Sequence, residues 1–273
     1  MNPLAHHQVR VGAALVLALV ALAVLAPIVA PLADLTTDVT RQLQGPDASH
    51  WFGTDENGRD LMTLVAHGAR VAVIVGFGTT LVSAVVGTFV GAVSGYVGGR
   101  VDEVLMRLVD VVFAFPGILL ALLVLFVTAD PNLGSVVLAL SLSGWAGYAR
   151  LVRGEMQLER RMPRIEACRA LGIPPMRILV RHILPATAGP VLVQATFGVA
   201  GAILAEASLS FLGLGPQDVP SWGALLDQGA MYFLLTPHLA IFPGLAIAGT
   251  VLAVNLVGDG LRDALDPRTR TTR

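Results

Sequence analysis

Between Arg10 and Asp34 lie 23 residues without a formal charge, Val11 to Ala33. Uncharged apolar runs of this kind recur along the chain, and they restrict its fold more than any other feature. About 20 apolar residues in a helix cross the hydrocarbon core of a bilayer. Inside lipid every backbone N–H and C=O must be paired within the protein, so only helices and closed barrels cross it. No alternating pattern here is long enough for barrel strands. The expected class is therefore an all-α integral membrane protein, in keeping with a mean hydropathy of +0.73.

Six spans can be drawn: Val11 to Ala33, Val71 to Gly99, Val111 to Ala129, Leu133 to Ala149, Val191 to Leu214 and Leu239 to Val257. The first is too long for the apolar stretch of a secretory signal, typically about 7–15 residues, and reads as a retained span. In the second, Ser83, Gly87, Gly91, Gly95 and Gly99 fall four apart. Such a stripe lets helix backbones approach closely, within this chain or against a partner. Pro116 interrupts the third, and an Asp130-Pro131-Asn132 turn follows it. Trp145 and Tyr148 near the end of the fourth fit an interfacial aromatic belt. Arg100 to Asp110 reads as a short charged connection.

All 18 basic residues are arginine. With the N-terminus inside, fifteen arginines fall on the cytoplasmic side and only Arg41, Arg59 and Arg70 outside, a clear positive-inside bias. The chain then divides into a cytoplasmic N-terminus (1–10), a first transmembrane helix (11–33), an extracytoplasmic segment (34–70), a five-helix core (71–258) with a cytoplasmic loop at 150–190, and a cytoplasmic tail (259–273). The absence of lysine excludes a phosphate-cradling GxxxxGK[ST] loop, so any ATP that drives this protein binds another polypeptide. A single cysteine excludes an intrachain disulfide and a CxxC motif.

The loop at 150–190 is the densest basic region, with Arg150, Arg153, Arg160, Arg161, Arg164, Arg169, Arg177 and Arg181. Within it Pro163 suits a first helical position. Ile165, Cys168 and Leu171 recur every third residue as a narrow apolar stripe, and Gly172 suits a left-handed stop. Pro174 and Pro175 force extended backbone before a second piece. It carries Arg177 and Arg181 four apart, with Ile178, Leu179 and Ile183 on other faces. Such a segment fits either an amphipathic loop on the membrane surface or a docking element for a cytoplasmic partner. It lacks the interleaved aromatics of a nucleic-acid platform.

Glu166-Ala167-Cys168, Gly172 and Leu184-Pro185 stand at the offsets of the EAA loop of ABC importer permeases, with Cys168 in place of the second alanine and His182 where the general pattern has isoleucine. The wording Arg-His-Ile-Leu-Pro resembles the dipeptide, oligopeptide and nickel branch. Gly53-Thr54-Asp55-Glu56-Asn57-Gly58-Arg59-Asp60 and Ala205-Glu206-Ala207-Ser208-Leu209-Ser210-Phe211-Leu212-Gly213 resemble further signatures of that branch, as does the closing Gly258 to Pro267. The chain is thus similar to the C-type permease of such a pair. The resemblance implies six transmembrane helices in the type I importer permease fold and half of a translocation pathway for di- or oligopeptides, with nickel or a nickel chelate as the alternative cargo. It implies a homologous second permease, an extracytoplasmic binding protein and two cytoplasmic ATPases that hold ATP and Mg, in a bacterial inner or plasma membrane. Coupling would run through Arg164, Glu166, Ala167, Cys168, Arg169, Ala170, Leu171, Gly172, Leu184 and Pro185.

Glu206 is the only formal charge within the six spans as drawn. An acid in lipid faces protein or water, so it reads either as part of the substrate path or as a structural acid bonded to neighbouring helices. Gln194 and Asn255 read as interhelical hydrogen-bonders, and His238 as interfacial. The Gly53–Asp60 segment looks superficially like a calcium loop but lacks the distal glutamate. A stand-alone secondary transporter or channel would leave the basic loop unexplained. A membrane enzyme would need a nucleophile or metal set, and no His-Glu-x-x-His or Ser/His/Asp pattern is legible.

Overall fold

The computed structural model describes residues 3–32, 37–128 and 132–265. Ten α-helices hold most of them: α1 Pro3–Val29, α2 Leu61–Val97, α3 Gly99–Ala114, α4 Gly117–Thr128, α5 Leu133–Glu159, α6 Pro163–Ala170, α7 Pro175–Ile178, α8 Leu184–Phe211, α9 Trp222–Met231 and α10 His238–Leu265. Among the described residues the only β pairing is one bridge, Thr54 to Asp60. Five apolar helical stretches are long enough to cross a membrane, and α3 with α4, bent by 84° at their break, make a sixth when the pair is counted as one span.

Contacts fix which helix ends lie together. Arg160, just past α5, donates to the carbonyls of Gly95 and Tyr96 at the end of α2, at 2.9 and 2.7 Å. Asp102 in the first turn of α3 binds Arg153 of α5. Gly12 of α1 lies against Val257 of α10, and Gly189 of α8 against Leu265. The start of α1, the α2–α3 junction, the α5–α8 link and the end of α10 therefore share one end. At the other end, His67 Nε2 of α2 lies 2.7 Å from the carbonyl of Ala30, and Gly53 lies against His238. The described arginines sort accordingly, with Arg41, Arg59 and Arg70 toward this second end and the rest at the first.

The small-residue stripe packs within the chain. A Cβ on Gly87, Gly91 or Gly95 would collide with α5, around Tyr148, Val152 and Met156 respectively. The stripe stops at Gly95, because α2 ends at Val97 and Gly99 (φ +57°) already opens α3. Trp145 and Tyr148 are buried, not interfacial: the missing side chains on α2 bring its backbone onto theirs. Gln194 and Asn255 make no side-chain hydrogen bond among the described residues.

The segment from 34 to 70 runs directly into α2 at Leu61. Its Gly53–Asp60 part is a tight turn in which the fully buried Asp55 accepts the N–H groups of Asn57 and Arg59, at 2.9 and 2.8 Å, and the Arg59 guanidinium at 2.7 Å. Gly58 holds φ +72°, and a Cβ there would strike the carbonyl of Asp38. Asp60 then caps α2 by accepting the N–H of Thr63 at 2.8 Å, as an N-cap aspartate does. So α2 begins at Leu61, ten residues before Val71, and takes in His67 and Arg70. At 1.5 Å per residue its 37 residues extend about 55 Å, well beyond a bilayer core.

The third span is also revised. Arg100 to Asp110 is helix rather than connection, and the passage breaks at Phe115-Pro116, where Phe115 is extended (ψ 135°) as a residue before proline prefers. The fifth passage begins earlier than Val191, since α7 runs through a π-turn at Leu179–Ile183 into α8. Helix α9, between the fifth and sixth passages, had no separate signal. Ala33, Asp34, the Asp130-Pro131 part of the turn and the tail from Asp266, with Arg268, Arg270 and Arg273, lie outside the described residues.

Candidate coupling surface

Helix α6 is eight residues long, too short to be stable alone. Three things hold it. Pro163 occupies its first turn, where the missing N–H costs nothing. Ile165 is fully buried with Val152, Met156, Ile178 and Ile183. Gly172, at φ +74°, closes it: its N–H reaches the Arg169 carbonyl at 2.9 Å and the Ile173 N–H reaches Cys168 at 3.1 Å. That pair of bonds is the Schellman stop, with Ile173 and Cys168 both packed on the same cluster. Pro174, extended at ψ 139°, then starts α7.

The expected apolar stripe of α6 is only partly an inner face. Ile165 is buried and Cys168 half-buried, but Leu171, at the helix end, is 79% exposed. Arg164, Glu166, Ala167, Arg169, Ala170 and Gly172 are exposed as well. Across the turn Met176 and Val180 are 67% and 57% exposed. Ile165, with Cys168 packed beside it, thus anchors a helix whose other residues are exposed, with apolar Leu171, Met176 and Val180 nearby. Leu184 is half-buried and Pro185 exposed, in the first turn of α8. Pro185 has no N–H to give and its ring crowds the carbonyl four residues back. The preceding turn widens instead, and the Leu184 N–H bonds to Leu179, five residues back.

The eight arginines divide into two groups that the sequence did not separate. Arg150 pairs with Asp110 at 2.8 Å and covers the Phe113 ring at 4.4 Å. Arg153 binds both oxygens of Asp102, at 2.5 and 2.6 Å. Arg160 caps α2 as described, and Arg164 pairs with Glu159. These four stitch α5 to α2 and α3 and fasten the start of α6. Among the described residues Arg161, Arg169, Arg177 and Arg181 make no ion pair, and all four are exposed. Arg160, Arg161 and Arg169 border a cleft of about 430 Å³ beside Gly98 and Gly99.

Glu206 lies far from this surface, toward the opposite end of α8. It is 2% exposed, and the Ser210 hydroxyl donates to it at 2.6 Å. Ser221, which caps α9 by accepting the Ala224 N–H at 3.2 Å, is buried as well. Residues 87–271 match the family of binding-protein-dependent transport system inner membrane components. The chain belongs to that family. This permease is 41% identical to the glutathione transport system permease protein GsiD of Pectobacterium atrosepticum over 269 residues, covering 97% of this chain and 89% of the relative. The proteins of the same name in Shigella dysenteriae and Escherichia coli are 41% identical over 267 residues, covering 97% of this chain and 88% of each relative. In three dimensions the permease resembles a chain of the MetNI methionine ABC transporter in inward facing conformations. The TM-score is 0.63 at 19% identity, over 76% of this chain and 98% of that one. A second crystal form gives 0.62 at 21% identity. The permease has the type I ABC importer permease fold, and it is a transporter subunit without an ATP site of its own.

Proposed function

We propose that this permease forms half of the translocation pathway of a peptide importer and is driven through α6 by a cytoplasmic ATPase. The observation that carries the reading is the anchoring of α6: one buried isoleucine and a left-handed glycine stop hold a short rigid helix whose other faces are exposed. Exposed Leu171 and Met176 suit an apolar groove on the partner, and the unpaired arginines suit acids at its rim. Arg164, Glu166, Ala167, Arg169 and Ala170 would make the contact. Cys168, Gly172, Leu184 and Pro185 would hold the lever and transmit its motion to α8. In this reading the arginine-rich end and both termini are cytoplasmic.

The complete importer would contain a homologous permease, two ATPases carrying ATP and Mg, and an extracytoplasmic binding protein. The names of the relatives favour a glutathione-sized peptide as cargo. Affinity purification of the tagged chain from its native membrane, followed by ATP-dependent uptake of labelled glutathione and dipeptides into proteoliposomes, tests both parts. Recovery of an ATPase with ATP-accelerated peptide uptake is expected. A chain that transports alone, or takes up no peptide when supplied with its binding protein, would overturn the reading.

A further inference from the structure

Midway along the bundle, α2, α4, α5 and α8 enclose a cleft of about 310 Å³. By the volume of liquid water that is space for roughly ten molecules. Thr79, Thr80 and Ser83 line it from α2, and they are 5%, 7% and 2% exposed. None of their three hydroxyls has a hydrogen-bond partner. A serine or threonine in a helix can usually turn its hydroxyl onto a carbonyl one turn back, as Ser141 does to Val137 at 2.6 Å. Here three neighbours on one helix leave that bond unmade.

The break at Phe115-Pro116 opens into the same cleft. Gly117 and Ile118, the first residues of α4, line it. Their N–H groups have no acceptor among the described residues, as expected at the start of a helix. Irregular backbone at membrane depth persists where it borders a cavity. On the far side stand Tyr148, whose hydroxyl donates weakly to the Gln194 carbonyl at 3.4 Å, and the exposed Gln194 side chain. No lining residue carries a formal charge. The walls thus offer hydroxyls that donate or accept, and N–H groups at the positive end of a helix, which favour carbonyl or carboxylate oxygens.

We infer that this cleft is a cargo-contact site within the subunit, where Thr79, Thr80, Ser83 and the first N–H groups of α4 hydrogen-bond the amide and carboxylate groups of a passing peptide. The inference rests on the peptide reading above and adds the residues that touch the cargo. Glycine keeps the space open: a Cβ on Gly144 would strike the Ser83 hydroxyl, whereas one on Gly201 meets nothing within 4 Å. Position 201 therefore accepts a plug that leaves the walls in place.

The test uses the intact importer in proteoliposomes and a charged methanethiosulfonate reagent, with modification read at each residue by mass spectrometry so that Cys168 stays in place. Thr80→Cys, with Ser83→Cys as a second reporter, is expected to react at least tenfold faster than Val75→Cys, which is fully buried one turn away. S-methylglutathione or trialanine, neither of which carries a thiol, should slow that reaction at least fivefold, and glucose should not. Gly201→Leu should cut peptide uptake at least tenfold in complexes of normal composition. Reactivity no higher than at Val75→Cys, or no slowing by either peptide, overturns the inference. If wild-type importer takes up these peptides and the cleft is not protected, the inference alone falls. If it takes up neither and nothing is protected, the peptide reading falls with it.

Discussion

Replacing Gly91 by alanine adds one methyl group where α2 meets α5. Its Cβ would run into the carbonyl oxygen of Ala149 and sit 2.9 Å from the Cβ of Val152. Ordinary contacts lie at 3.4–4 Å, and the blocking atoms include backbone that cannot rotate aside. The helices must separate by about 0.5–1 Å, loosening every contact along the seam, since dispersion falls steeply with a gap of that size. Overpacking of this kind costs about 1–3 kcal/mol, and the absence of a flexible neighbour argues for the upper end. Alanine returns about 1 kcal/mol in helix propensity, leaving a net loss of about 2 kcal/mol. At roughly 2–4 °C per kcal/mol for a chain of this size, the melting temperature falls by about 4–8 °C. Gly154, on α5, supplies the control, because nothing lies within 4 Å of a Cβ there; Gly154→Ala should melt at or slightly above the wild-type temperature. Thermal scans of the detergent-solubilised complex, followed by size-exclusion fluorescence, read both variants. Equal melting temperatures for the two would refute the close approach of α2 to α5.

Asp102→Ala removes both bonds to Arg153, and because the arginine is about one-third exposed the loss should be about 1–2 kcal/mol, below the cost of breaking a fully buried pair; the same melting assay checks it. Asp55→Ala leaves two N–H groups and the Arg59 guanidinium without their shared acceptor. It should cost about 3 kcal/mol and open the 37–60 loop to limited proteolysis, whereas an uncut loop would contradict the packing described. Gly172→Leu forces a side chain into φ +74°, costing roughly 1–2 kcal/mol of backbone strain. It should lower the ratio of peptide taken up to ATP hydrolysed at least fivefold, measured in proteoliposomes with assembly confirmed by subunit stoichiometry.

Much of this was legible because lipid leaves so few options. Uncharged runs located the passages. The spacing from Pro163 through Gly172 to Pro175 located α6 and its stop, since proline and glycine act through local backbone geometry alone. Features set by distant partners were hidden. Arg153 and Asp102 are 51 residues apart, so Arg153 read as one more free cation of the basic loop. Tyr148 near a helix end looked interfacial because only the fold reveals Gly87 beneath it. His67 and Arg70 masked the early start of α2, which the Asp60 cap marks only once Thr63 is seen to bond to it. The cleft at Thr79, Thr80 and Ser83 had no signal at all. Hydroxyls in helices are usually satisfied by their own backbone, and their failure to be so is a property of three dimensions.

The central claim is that an ATPase grips α6. A photo-crosslinking residue at position 170, on the exposed end of that helix, tests it in intact cells. The account predicts an ultraviolet-dependent adduct between this permease and a nucleotide-hydrolysing subunit, with yield that changes when ATP hydrolysis is blocked. Adducts only with lipid or with extracytoplasmic proteins would contradict it.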